Sequence, residues 1–257
     1  MIHPYTVDII NSTMASTLRR WRGTAGSKKT VQPKQLPEFF DRESCPRCRM
    51  VREAITELNL DIMIFPCPQQ GRRFKQQLLE LAGTYHIPFM FDPNTGQKCA
   101  GVEEIIGYLF SQYRGKRAPR ALRENFLNVI TSSLATSLRG SRGVTAKPAK
   151  IAKKPLTLYS FESSPFCRPV RERLCEYELP YKLINLSKQQ WADMGPAVMR
   201  FHIGDYKPIP GTKREQFLDK HGEVQVPFLV DPNTGQELFE SLTILRYLDD
   251  LYGISAE

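Results

Sequence analysis

The side chains best suited to chemistry are two cysteines, Cys45 and Cys48, in Ser44-Cys45-Pro46-Arg47-Cys48-Arg49-Met50-Val51-Arg52-Glu53. At a helix start, the first sulfur of a Cys-x-x-Cys is the exposed one, and the helix dipole with its free N–H groups favours the thiolate. Arg47 adds a positive charge nearby. Cys45 would then attack a disulfide, and Cys48 would resolve the mixed disulfide from behind. The competing reading is zinc, which needs a second cysteine pair. Only the scattered Cys67 and Cys99 remain, so no metal is expected. The decad returns as Ser163-Ser164-Pro165-Phe166-Cys167-Arg168-Pro169-Val170-Arg171-Glu172, with serine in place of the leading cysteine. A hydroxyl cannot exchange disulfides, and Cys167 in the inner position reads as a buried thiol. Cys175, two turns on, reads as core, and Cys67, between two prolines, as a strand end. His86 and His221 complete no Cys-His or Ser-His-Asp set.

The elements that must hold these turns also occur twice. Each decad follows an extended apolar segment, Leu36 to Phe40 and Leu156 to Phe161, and leads into a helical pattern, the strand–turn–helix context of a redox motif. In the first repeat a strand, Asp61 to Phe65, comes next and is ended by Pro66-Cys67-Pro68. Then come a helix over Phe74 to Ala82, a hairpin from Ile87 to Phe91 turning at Asp92-Pro93-Asn94-Thr95-Gly96, and a helix from Val102 to Tyr113. The second repeat copies this order, with strands at Tyr181 to Leu186 and Val226 to Val230, and Asp231 to Gln236 repeating Asp92 to Gln97 letter for letter. The offset between repeats is 119 at the inner cysteines (Cys48 to Cys167) and 139 at the hairpins (Asp92 to Asp231). The second repeat therefore holds about 20 extra residues, placed at 188–210, with Trp191, Met194, Phe201, His202 and Tyr206. Their location permits a pocket wall, although such aromatic density is more often packing.

A leader precedes each repeat. Val7, Ile10, Met14, Leu18 and Trp21 fall on one face of a helix, and Ile10 to Arg19 aligns without gaps with Ile130 to Arg139. Arg22-Gly23 and Arg142-Gly143 keep that register. A segment that recurs mid-chain is part of the repeat and not a cleavable address. The expected organisation is a leader helix and basic linker over 1–33, a unit over 34–115, a second leader and linker over 116–154, and a second unit over 155–257. The net charge of +9 collects in the connectors, in clusters such as Arg19, Arg20 and Arg22, Arg114 to Arg123, and Arg139 to Lys154. Solvated linkers are the bland reading, and an anionic partner, either an acidic protein or a membrane surface, the sharper one. Nucleic acid is not expected, since no binding motif accompanies the charge. No apolar run is long enough to span a membrane. With six cysteines and no secretory signal, a reducing compartment is expected: the cytoplasm, or an organellar stroma or matrix in a eukaryote.

The order β-α-β-α-β-β-α with a Cys turn and an Ile/Val-Pro before the hairpin resembles the thioredoxin fold, an α/β layer structure. It resembles most the glutaredoxin and glutathione-transferase N-terminal-domain branch, here in tandem. Under that resemblance Val226-Pro227 is the cis-proline dipeptide whose backbone pairs with the glutathione cysteinyl group, with Ile87-Pro88 its counterpart. Glu240-Ser241 is the pair that grips the γ-glutamyl end, its serine at a helix N-terminus that receives a carboxylate. Ser164 would donate a hydrogen bond to the glutathione sulfur. In the first repeat the Glu-Ser pair falls on Gly101-Val102, which weakens the grip, and the family's all-helical C-terminal domain has no counterpart in this sequence. The resemblance implies glutathione as cosubstrate or ligand. The leading expectation is a glutathione-linked thiol–disulfide oxidoreductase, with glutathione in the second repeat and exchange at Cys45. The alternatives are transferase-like activity using Ser164, and a non-catalytic module binding glutathione or protein.

Overall fold

The computed structural model describes residues 4–140, 142–197 and 204–254. The first repeat runs β1 (Glu38–Asp41), α2 (Pro46–Glu57), β2 (Ile62–Pro66), α3 (Lys75–Ala82), β3 (Phe89–Asp92), β4 (Gln97–Ala100) and α4 (Val102–Arg114). The second runs β5 (Leu156–Ser160), α6 (Cys167–Glu176), β6 (Tyr181–Asn185), α7 (Lys213–His221), β7 (Phe228–Asp231), β8 (Gln236–Phe239) and α8 (Ser241–Tyr252). The leaders form α1 (Pro4–Leu18) and α5 (Phe126–Ser137). Alternation along β1 sends Phe39 into the main core and Phe40 into a second cluster with Leu78 of α3, so helices cover both faces. These are tandem thioredoxin-like units.

They are fused more closely than linkers imply. Among the described residues one sheet of eight strands crosses both repeats in the order β4-β3-β1-β2-β6-β5-β7-β8. At the junction β2 and β6 pair antiparallel, with Ile62 opposite Leu183 and Ile64 opposite Tyr181. Each repeated Asp-Pro-Asn-Thr-Gly turn is tied down by two tyrosines of the helix that follows. Tyr247 and Tyr252 donate to Asp231 Oδ2 at 2.9 and 2.5 Å, as Tyr108 (2.7 Å) and Tyr113 do to Asp92. That double anchor accounts for the identity of the two turns.

The leaders cross. α5 packs on α2 of the first repeat, where Ser132 Oγ donates to the Pro46 carbonyl at 2.8 Å. α1 packs on α6 of the second, where Arg168 donates to Ser12 at 2.7 and 2.9 Å and to Ser16 at 3.0 Å. The apolar stripe of α1 does not face the core. Val7, Ile10, Met14, Leu18 and Trp21 are exposed, and α1 buries Asp8, Ser12, Ala15 and Ser16 instead. Small side chains let α1 lie close to α5 and α6, a contact that the apolar period does not encode.

The solvated-linker reading also fails at two residues. Arg19 is bound by Glu53 (2.6 and 2.7 Å), and Arg139 by Glu172 (2.7 Å) and Asp8, all buried. Between α2 and α6, Arg52 reaches Asp41 at 2.6 Å and Glu162 at 2.9 Å, and Arg171 reaches Glu43 and Glu162 at 3.0 Å. Burial works against the Glu162 carboxylate, yet Arg171, Arg52, Arg168 and Arg49 hold it down to about 2. Gly23 lies against this crossing. It has φ +76°, and an added Cβ would stand 2.7 Å from Glu162 Cβ.

Candidate functional site

Cys45 is the N-cap of α2, with Pro46 at the first helical position, where its missing N–H leaves nothing unsatisfied. The Cys48 backbone N–H donates to Cys45 Sγ at 3.4 Å. Cys45 retains 7 % exposure and Cys48 none, so the leading sulfur is the reachable one. A hydrogen bond from the Cys48 thiol, opposed by burial and helped by the Cys48 N–H and the Arg42 charge, lowers the Cys45 thiol to about 6. Burial and the same bond push Cys48 well up. A thiolate beside a protonated thiol is the arrangement that disulfide exchange requires.

In the second repeat Ser164 stands where Cys45 stands. Its Oγ accepts from the Cys167 N–H at 3.3 Å, and its hydroxyl bonds the Cys167 sulfur. Cys167 lies fully buried, and burial raises its thiol. Ser164 opens on a cavity of about 730 Å³ that is also lined by Val226, Pro227, Glu240 and Ser241. The Val226–Pro227 and Ile87–Pro88 bonds are both cis. Ser241 opens α8, and Glu240 before it has φ +67°, where the first repeat has Gly101 at +82°. A glutamate in this left-handed region stores strain that glycine would avoid, a feature that clusters at ligand sites. Gln225 donates to its carboxylate, and the Tyr5 hydroxyl of α1 bonds Ser241 Oγ.

The opposite wall is built from elsewhere. Thr13, Trp21 and Thr24 come from the first leader, and Trp191, Met194 and Pro196 from the extra segment. Asp193 props that segment, accepting from Gln189 N–H at 2.8 Å and Tyr206 OH at 2.6 Å. Tyr206 is therefore a packing residue, while Trp191 and Met194 are wall. Phe201 and His202 lie outside the described residues. The leader's share in this wall was not readable from the sequence, because the crossing of α1 is a tertiary event.

The chain thus brings together Ser164, Val226, Pro227, Glu240 and Ser241 around one cavity. Cys45, Cys48, Ile87 and Pro88 belong to the other repeat, and the two turns point away from each other. Asp41 ends β1 level with Pro66, and Ser160 ends β5 level with Asn185, whose Nδ2 donates to the Leu60 carbonyl across the junction. Leu60 and Pro66 are six residues apart, so the strand ends are offset by about 20 Å along the sheet at about 3.3 Å per residue. A thiol held at Ser164 does not reach Cys45. Cys67 and Cys175 are buried with thiols raised by burial, and Cys99 is pushed up to about 11 by the same cause. Among the described residues no group of three or more His, Cys, Asp or Glu could hold a metal ion, and no helix is long and apolar enough to cross a membrane.

A family model for the glutathione S-transferase N-terminal domain matches the chain twice, over residues 39–117 and 158–256. The chain belongs to that family, and each match spans one Cys or Ser turn together with its cis-proline and hairpin. No curated protein and no solved structure matches it.

Proposed function

We propose that the chain is a glutathione-linked thiol–disulfide oxidoreductase in which Cys45 attacks and Cys48 resolves. The observation that carries this reading is the geometry at the start of α2, where Cys45 caps the helix, accepts the Cys48 N–H and is the more exposed of the two sulfurs. The Cys45 thiolate displaces one thiolate from a substrate disulfide. Cys48 then attacks the Cys45 sulfur, and its proton leaves with the second thiol. The substrate gains two electrons, and the protein holds a Cys45–Cys48 disulfide. Two glutathione molecules arriving from solution return the dithiol and depart as glutathione disulfide. The offset between the two turns separates this step from any glutathione bound in the second repeat.

The cavity supports a second reading, a transferase-type reaction there. Its volume suits a small-molecule site, for which about 300–1,000 Å³ is usual. In that pose the Val226 backbone pairs with the cysteinyl group, Glu240 with the γ-glutamyl amine, and the start of α8 with its carboxylate. The Ser164 hydroxyl then favours the thiolate by hydrogen bonding.

Reduction of a neutral disulfide and calorimetric glutathione binding separate the two readings. Cys45→Ser is expected to lose reduction and keep binding, and Ser241→Ala to keep reduction and weaken binding. Loss of reduction in Ser241→Ala but not in Cys45→Ser would move the chemistry to the second repeat. A wild type that does neither overturns both readings.

A further inference from the structure

Aligned on the decads, the aromatic wall of the second-repeat cavity becomes arginine in the first. Phe161 answers to Arg42, Phe166 to Arg47 and Trp191 to Arg72. The third pairing rests on register from a shared bridge. Lys188 bridges to Ala25 and Gln69 to Thr145, which makes Gln69 and Lys188 equivalent, and Arg72 and Trp191 each follow three residues on.

Arg42 is near enough to Cys45, Cys67 and Tyr85 to favour the ionised form of each. Tyr85 is itself the counterpart of Val224, another lining residue of the second-repeat cavity. Arg42 Nε is buried without a hydrogen-bond partner, and among the described residues no carboxylate pairs with its guanidinium. Arg72 is exposed, and Lys75 Nζ lies 5.7 Å from the Tyr85 ring centroid. The neighbouring acids are already engaged. Asp41 holds Arg52, Glu124 holds Arg47 at 2.9 Å, and Glu178 accepts the Arg73 backbone N–H at 2.9 Å. Arg42 is therefore an uncompensated positive charge beside the Cys45 sulfur, where the other repeat presents a ring.

We propose that the Cys45 site selects disulfides flanked by carboxylates, in the manner of an acidic peptide, with Arg42 and Arg72 as the specificity-determining residues. The inference rests on Cys45 being the exchanging thiol and adds which substrates it takes. The step is the one given above: the peptide disulfide is reduced to two thiols and the Cys45–Cys48 pair is oxidised. A carboxylate on the peptide meets Arg42 or Arg72 while the sulfurs align. Opposite charges steer encounter and hold register, and salt screens both effects.

The test is a single-turnover reaction of the reduced full chain with two capped peptide disulfides, identical except that glutamates flank the cysteine in one and glutamines in the other. At low salt the acidic peptide is expected to react about tenfold faster or more, a ratio set by charge steering. The ratio should fall toward one in 0.5 M salt (about one-third the Debye length of dilute buffer). It should fall likewise in the double variant Arg42→Phe, Arg72→Gln, in which position 42 takes the residue that the other repeat already accommodates. Because the ratio compares two substrates on one protein, a change in Cys45 reactivity cancels. Equal rates in the wild type, or a ratio that survives the double variant, overturns the charge selection while leaving the exchange reading intact. Failure of both peptides to react overturns the exchange reading and this one with it.

Discussion

The two repeats keep the same frame and part company at the places where a ligand would sit. Both have a thiol or hydroxyl accepting the N–H three residues on, a cis Ile/Val-Pro and an anchored Asp-Pro-Asn-Thr-Gly turn. The first has a dithiol, arginines at 42, 47 and 72, and a glycine before α4. The second has a single inner thiol, rings at 161, 166 and 191, and a strained glutamate before α8. One scaffold thus supports a thiol site flanked by arginines and a cavity walled by rings, because the fold is fixed by turn anchors and buried ion pairs that neither site uses up.

The comparison can be broken most severely at its shared junction. Arg52→Ala leaves Asp41 buried without its partner and takes one of several arginines from Glu162, which costs about 3–5 kcal/mol. One cooperative melt, shifted down and abolishing both activities together, is expected by calorimetry; two separate transitions would show that the repeats stand alone. Next in size, Ser164→Cys restores the missing thiol of the second repeat. Disulfide reduction attributable to that repeat, measured in a Cys45→Ser background, should rise on the order of 10²-fold, as thiols exchange and hydroxyls do not.

The third contrast is in pH. Cys45 is a thiolate above about 6, so its alkylation rate should be flat above that pH and drop about tenfold per unit below it. Cys167, raised by burial, should stay unlabelled at neutral pH in the same mass-spectrometric experiment. Ser241→Val, which installs the residue of the first repeat, removes a hydroxyl from the rim. It should weaken glutathione binding about tenfold, the size of one hydrogen bond of about 1.5 kcal/mol. Smallest of all, Glu240→Gly relieves the positive φ and should stabilise the chain by about 1 kcal/mol in urea unfolding while weakening glutathione binding.

Much of this was legible in the residues. The strand read from Asp61 to Phe65 is found at Ile62–Pro66, and the helix read from Val102 to Tyr113 at Val102–Arg114, because period and turn chemistry are local. The residues around the cavity were readable too, since Ser164, Val226 and Glu240-Ser241 sit at turns and helix starts with fixed sequence signals. Three things were not. The inward face of α1 is Ser12, Ala15 and Ser16, and no hydrophobic period marks a face of small residues. Arg19 and Arg139 look like linker charges until Glu53 and Glu172 come in from 34 and 33 residues away. The direction of the two turns follows from the β2–β6 pairing, a contact between repeats that neither repeat encodes alone.

The crossed leaders and the antiparallel β2–β6 seam together have the form of a two-fold axis, with each part meeting its own copy, as in a symmetric dimer. In a dimer of identical chains every substitution arrives twice, so a glutamate suited to one site is forced on the other. Joined in one chain, the two copies inherit changes singly. Serine for cysteine, ring for arginine and glutamate for glycine could then accumulate on one side of the axis while the seam stayed matched on both.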